Sequence, residues 1–232
     1  MQSSAIITGA GRGIGRATAI RLAKDGFRLM LVSRTSGELE ETARLCGGGA
    51  STEAVDVCDH DAVANVVKRA HKELGRVDAF IHSAGVAPLQ PIAEMTPATW
   101  HSILDTNLSA AYYFCRALWP IWRSQNGGAA VLVSSVAARD PFAGFTAYGA
   151  AKAAVNMFGY SLAREGAPHG IRVHTVAPGA VETVMLRSVF SPSQIPTEAA
   201  LNPDDVAAVI AQCVRGDLRY TSGEVIYVHK TV

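Results

Sequence analysis

Charge of either sign is scarce in this chain, and neither sign prevails. Charged residues make up 18% of the 232 positions, and 21 Lys and Arg face 20 Asp and Glu for a net charge of +1. A typical soluble domain carries about 25% charged residues. So close a balance removes the electrostatic case for nucleic acid or an anionic membrane surface as partner, and the low total predicts a surface partly covered by another subunit. Long hydrophobic runs are also missing. The longest apolar region, Leu108 to Trp122, is interrupted by Arg116 and Pro120, too short and too broken to span a bilayer. The chain enters its first apolar segment, Ala5-Ile7, without a basic-then-apolar leader, which predicts a soluble, cytoplasmic protein. Cysteine is sparse: Cys46, Cys58, Cys115 and Cys213 form no C-x-x-C, and no histidine stands at ligand spacing from them. The expectation is free thiols in a reducing compartment and no metal. There is no linker, repeat or low-complexity stretch, so residues 1–232 read as one domain.

What is present is a large apolar fraction, 49%, arranged in alternating strand-like and helix-like patterns. Strands are predicted at Ala5-Ile7, Arg28-Val32, Thr52-Val57, Val77-Ile81, Ala129-Val133, Ile171-Val176 and Val225-Val228. Between them, helices are predicted over Ile14–Lys24, Gly37–Leu45, a stretch capped by Asp59 or Asp61 and reaching Leu74, a helix opening near Ala98 after the N-cap Thr96 and Pro97, and Thr106–Arg123. Tyr148–Arg164 and Pro203–Cys213 follow. Pro120 should kink its helix or begin its end. Regular alternation predicts an α/β fold: a three-layer, doubly wound Rossmann arrangement with a mostly parallel sheet of about seven strands. Ligands of such sheets bind beyond the carboxyl ends of the strands. That edge gathers Gly9 to Gly15, Val32 to Arg34, Asp56, Ser83 to Gly85, Ser135 and Pro178-Gly179.

The first of these segments, Thr8-Gly9-Ala10-Gly11-Arg12-Gly13-Ile14-Gly15, lies directly between a strand and a helix. Small residues there let a pyrophosphate approach the helix N-terminus, where free N–H groups and the helix dipole favour negative charge. The second strand ends Val32-Ser33-Arg34, with no carboxylate to hold a ribose 2′-hydroxyl. Arg34 and Arg12 are placed instead to pair with a 2′-phosphate, so NADP(H) is expected over NAD(H). Farther along, Tyr148 and Lys152 stand four residues apart, on one helix face. An ammonium beside a phenol favours the phenolate and brings its proton into catalytic range, although that spacing alone also suits an ordinary helix surface.

Taken together, these motifs resemble the short-chain dehydrogenase/reductase family in its single-domain form, and the resemblance runs over nearly the whole chain. It rests on TGAGRGIG at residues 8–15, Asp56-Val57, Ala84-Gly85, Asn107, Ser134-Ser135, the Tyr148-Gly149-Ala150-Ala151-Lys152 segment, and Pro178-Gly179 with Thr183. The resemblance implies an oxidoreductase interconverting a carbonyl and a secondary alcohol. Tyr148 becomes its acid/base. Lys152 would lower the Tyr pKa and hold the nicotinamide ribose, Ser135 would polarise the carbonyl, and Asn107 would support a water-linked proton relay. Asp56 and Val57 would contact the adenine. Ile14, Pro178, Gly179, Val181 and Thr183 would lie by the nicotinamide or phosphates, and Ser83, Ala84 and Gly85 along the cofactor. Ser83 departs from the family's usual Asn, and His229-Lys230-Thr231-Val232 replaces its glycine-rich ending. The motif variants do not match extended sugar-nucleotide epimerases or enoyl reductases.

Between Val184 and Asn202, where the family keeps its substrate lid, stand Met185, Leu186, Val189, Phe190 and Ile195, with Arg187 and Glu198 as the charges. Phe142 and Phe145 would form the facing wall. The substrate expected is an apolar, modest-sized carbonyl compound or its alcohol, with 3-oxoacyl thioesters the leading specific class, as in the 3-oxoacyl-[acyl-carrier-protein] reductases. Arg116, Arg123, Arg164 and His169 could meet an acidic carrier. The resemblance implies a homotetramer or homodimer with the two long helices, Thr106–Arg123 and Tyr148–Arg164, at the subunit interface. A non-catalytic NADP-binding sensor on the same fold is the rival, disfavoured by the retained Ser135, Tyr148, Lys152 and Asn107.

Overall fold

A computed structural model describes residues 2–230 of the chain; Thr231 and Val232 of the unusual ending lie outside the described residues. Seven strands, β1 (Ser4–Thr8), β2 (Arg28–Ser33), β3 (Ser51–Ala54), β4 (Ala79–His82), β5 (Gly128–Val133), β6 (Ile171–Pro178) and β7 (Val225–Val228), form one sheet in the order β3-β2-β1-β4-β5-β6-β7. All six neighbouring pairs are parallel. Eight α-helices connect them: α1 (Gly13–Lys24), α2 (Ser36–Leu45), α3 (His60–Leu74), α4 (Pro97–Leu104), α5 (Ala110–Ser124), α6 (Thr146–Gly166), α7 (Val184–Val189) and α8 (Pro203–Arg215).

Parallel strands need helical crossovers, and these cover both faces. Successive side chains of each strand therefore enter different cores. Ile6, Met30, Phe80, Ala130 and Val173 pack with α3, α5 and α6, whereas Ile7, Leu29, Leu31, Ile81 and Val131 pack with α1, α2 and α8. Trp122, fully buried, closes the first layer and donates its indole N–H to the Val77 carbonyl at 2.9 Å. All four cysteines are free. Burial raises each thiol, Cys213 to about 12. No helix among the described residues is long and apolar enough to cross a membrane.

Three elements differ from expectation. β3 stops at Ala54, where its partner β2 runs out at Ser33. Asp56 and Val57 thus lie in the connection, and the Asp56 carboxylate accepts from the Cys58 N–H to turn the chain toward Asp59. Asp59 is the cap of α3, accepting from Asp61 and Ala62. Second, the helices expected near Ala98 and from Thr106 form one continuous run from Pro97 to Ser124, joined by a wide π-type turn at Asp105–Ser109. Pro120 lies exposed inside this run, and the helix continues past it to Ser124. Third, the lid contains α7, not foreseen, capped by the Thr183 hydroxyl, which accepts from the Leu186 N–H at 3.2 Å.

Candidate active site

The carboxyl edge of the sheet opens into a single groove of about 460 Å³. Of the expected site residues, only Gly15 does not line it. A Cβ on Gly15 would sit 2.2 Å from the Gly9 carbonyl, so its small size serves the packing of the turn itself. Gly9 has φ +64° and would carry a Cβ 2.8 Å from the Ser83 and Ala84 backbone. The turn is thus pressed against the end of β4 and holds a conformation that side chains resist. Arg12 occupies the N-cap position of α1 without a capping side-chain bond, and no acid stands in the first turn. The leading N–H groups of α1 therefore remain for an anion. These features fit the pyrophosphate of a dinucleotide.

One correction concerns the adenosine end. The strand end Val32-Ser33-Arg34 has no carboxylate, but the fold brings one there: Glu38, from the first turn of α2. Its carboxylate lies 3.7 Å from the Arg12 guanidinium. A Cβ on Gly11 would lie 2.8 Å from Glu38 Oε2 and 3.1 Å from Ser33 Oγ. Glu38 is held from behind, because its carbonyl accepts from Thr42 Oγ1 at 2.9 Å and from Arg16, which also bonds the Gly11 carbonyl. Sequence distance hid this contact, since the acid sits four residues beyond the usual strand-end position.

At the centre, Lys152 is 4% exposed and donates from Nζ to the Val133 carbonyl at 2.8 Å. Burial pushes it down to about 7. Its ammonium lies 5.5 Å from the Tyr148 ring centre, and Ser135, at the start of a short turn, directs its hydroxyl toward the phenol. The expected depression of the Tyr148 pKa is not what the protein alone displays. Burial raises it, and the Ser135 hydroxyl pulls the other way. The reason is shared: a site dry enough to weaken the lysine's charge also disfavours a phenolate.

Asn107 sits in the wide turn between α4 and α5, fully buried. Its amide N–H₂ donates to the Val86 and Ile103 carbonyls, both at 2.9 Å, while its Oδ1 has no partner. A Cβ on Gly85 would lie 2.8 Å from that oxygen and 3.8 Å from Lys152 Nζ. Glycine at 85 thus keeps open a polar space shared by the amide and the ammonium. A buried orphan acceptor beside a buried ammonium is the pattern a bridging water satisfies.

His82, which the sequence reading passed over, ties this region together. Its Nδ1 is 3.0 Å from the Thr8 hydroxyl, and its Nε2 is 3.2 Å from the Thr106 carbonyl. A carbonyl only accepts, so Nε2 carries the proton. The same Thr8 oxygen accepts from the Ala84 N–H at 3.3 Å. Burial, with the Lys152 charge nearby, lowers the imidazole to about 3. A neutral ring therefore links the glycine turn to the turn carrying Asn107.

The apolar wall is aromatic. Phe145 lies 5.2 Å from the Tyr148 ring, and Phe190 of the lid meets Phe142 at 5.2 Å and Phe145 at 6.0 Å. Arg187 is no free lid charge: it pairs with Glu182 and donates to the Ile195 carbonyl at 2.8 Å, folding the lid onto itself.

A glycine turn at a helix N-terminus faces a half-buried phenol, a buried ammonium and a half-buried hydroxyl across one groove of a doubly wound sheet, an arrangement suited to a dinucleotide-dependent oxidoreductase. The family model described as short chain dehydrogenase matches residues 3–194. The chain belongs to that family. It is 35% identical to a short-chain reductase protein, NovJ, of Streptomyces niveus, over 98% of this chain and 92% of that one. It is 30% identical to the 3-oxoacyl-[acyl-carrier-protein] reductase FabG of Vibrio harveyi, over 97% and 95%. Among solved structures, carveol dehydrogenase from Mycobacterium avium, in complex with NAD, superposes with a TM-score of 0.91 at 28% identity, covering 97% of this chain and 95% of that one. The protein is a short-chain dehydrogenase/reductase, an oxidoreductase of alcohol and carbonyl groups, in a family that binds a nicotinamide cofactor.

Proposed function

We propose that this chain is an NADP(H)-dependent reductase of a small, apolar carbonyl compound, with Tyr148 as acid/base. The supporting observation is the convergence of Tyr148, Lys152, Ser135 and the orphan Asn107 oxygen in one groove with the glycine turn. A nicotinamide dinucleotide held in this groove would supply or take the hydride at the carbonyl carbon. The rest falls to the chain. Ser135 Oγ donates a hydrogen bond to the carbonyl oxygen and orients it. The Tyr148 hydroxyl gives that oxygen its proton, completing the alcohol. Lys152 favours the phenolate so formed, offsetting the burial that opposes it. Its ammonium passes a replacement proton to the phenolate, drawn through water hydrogen-bonded to Asn107 Oδ1. Arg34 and Arg12 would hold the 2′-phosphate, and Asp56 and Val57 the adenine.

The wall of Phe142, Phe145 and Phe190 favours an apolar group beside the reacting carbon, and FabG among the relatives keeps 3-oxoacyl thioesters as the leading class. A dehydrogenase of another small apolar alcohol is the alternative. Exposed Tyr112, Met157 and Tyr160 on α5 and α6 favour a homodimer or homotetramer through those helices. The free thiols fit a reducing compartment, and we assign the cytoplasm.

The test is turnover of acetoacetyl-CoA and of a panel of cyclic and aromatic ketones with NADPH, for the native protein and Tyr148→Phe. Turnover by the native protein, lost by at least about a hundredfold in the variant with NADPH binding retained, is expected. Equal turnover in the variant would remove Tyr148 from the chemistry, and a native protein that binds NADPH without turning over any of these carbonyls would favour a sensor. Activity confined to sugars or polyols would reject the apolar substrate class.

A further inference from the structure

At the adenosine end of the groove the Arg12 and Arg34 guanidiniums stand with the Glu38 carboxylate, whose main chain is tied down, and the Asp56 carboxylate also lines the groove. Arg34 is exposed and makes no ion pair among the described residues. Arg12 is 59% exposed and faces Glu38 at 3.7 Å. Glu38 is held at its main chain by Thr42 and Arg16, which also grip the Gly11 carbonyl, so α2 is tied to the glycine turn. Its carboxylate stands beside Gly11, which Ser33 Oγ also approaches. A phosphate entering beside Ser33 meets this negative charge as well as the two guanidiniums.

We propose that Glu38 is a specificity-determining residue: its carboxylate competes with a ribose 2′-phosphate for Arg12 and narrows the discrimination between NADP(H) and NAD(H). The inference rests on the dinucleotide reading above. A 2′-phosphate carries close to two negative charges at neutral pH, and a carboxylate at this range both repels it and neutralises half of the cationic clamp. A 2′-hydroxyl has the opposite relation, since it can donate to the same carboxylate. One side chain therefore shifts the two affinities in opposite directions. A purely structural role in anchoring α2 would shift both together.

The experiment titrates NADPH and NADH into the full-length native protein and into Glu38→Gln, following nucleotide fluorescence, at low salt and near 0.5 M NaCl. Glutamine keeps the shape and removes the charge. The ratio of the NADH to the NADPH dissociation constant is expected to rise about three- to tenfold in the variant at low salt, the range of an exposed charge contact. That gain should shrink at high salt, where the Debye length falls to a few ångströms. A ratio within about twofold of the native value at low salt, with both nucleotides bound, overturns the role of Glu38 and leaves the oxidoreductase reading intact. Failure of the native protein to bind either nucleotide overturns both.

Discussion

His82 makes a prediction whose size follows from its surroundings. The imidazole is 1% exposed and neutral, with a pKa lowered from 6.5 to about 3. In the unfolded chain it titrates near 6.5, so between those values the unfolded state binds a proton that the native state refuses. Stability is then lost as pH falls through 6.5 toward 3, at up to about 1.4 kcal/mol per pH unit. From pH 7 to pH 5, a single such histidine removes about 2 kcal/mol. His174, lowered to about 4 by burial and Arg172, adds a loss of similar size. His82→Gln keeps a donor for the Thr106 carbonyl and an acceptor for Thr8 but cannot titrate. Urea unfolding at pH 7 and pH 5 should therefore lose about 2 kcal/mol less in His82→Gln than in the native protein, with the His174 part retained. His82→Leu, which abandons both bonds, should cost about 2–4 kcal/mol at pH 7 and lower kcat by loosening the turn that carries Asn107. Equal pH 7-to-5 losses in the native protein and His82→Gln would refute the buried neutral imidazole.

Three further outcomes can be measured. Gly9→Ala forces a methyl to within 2.8 Å of the Ser83 and Ala84 backbone at φ +64°, and should cost about 3 kcal/mol in denaturant unfolding while weakening nucleotide binding; a neutral effect would contradict the pressed turn. Phe190→Ala removes the lid ring that touches Phe142 and Phe145, and should raise KM about tenfold for an apolar substrate with little change in kcat. An unchanged KM would mean the rings only close the lid. Lys152→Met, at a buried site that pushes the amine down to about 7, should abolish turnover yet raise stability at pH 7 by about 1–3 kcal/mol. That gain should fade toward pH 10, as the amine of the unfolded chain nears its ordinary pKa of 10.5 and no longer holds a proton that burial must remove. A destabilised variant at pH 7 would show that the Nζ bond to Val133 outweighs the burial cost.

Much of this molecule is written in local pattern. Apolar strands such as Ile6-Ile7 and Leu29-Met30-Leu31 alternate with capped helices, and their order alone implies the parallel sheet. The Tyr148–Lys152 spacing and the glycine run survive translation into three dimensions because each lies within one element or at its edge. What escaped notice depends on contacts between elements. Glu38 reaches Arg12 across 26 residues because Arg16 and Thr42 tie α2 to the turn. His82 acts on Thr106 across 24 residues. The wide turn at Asp105–Ser109 replaces a simple helix start, and its five residues carry no propensity signal that separates them from their neighbours.

The phenol pKa belongs to the same class of long-range effect, and it bears on how the site works. Helical spacing argues that Lys152 lowers it, yet in the protein alone burial of both groups wins and the phenol rises. An apolar, closed site holds the phenol protonated and the amine close to neutrality, ready to give a proton in the direction of carbonyl reduction. The reverse reaction needs the phenolate, which requires the ammonium to be fully charged. Anionic phosphate and ribose hydroxyls bound along the groove would favour that charge. Dinucleotide binding should therefore raise the Lys152 pKa and lower that of Tyr148 together, coupling the acid/base to the occupied groove. The pH dependence of alcohol oxidation, compared for kcat and kcat/KM with cofactor saturating, reads this coupling. An apparent base pKa that stays above 10 with cofactor bound would show that the lysine charge never reaches the phenol.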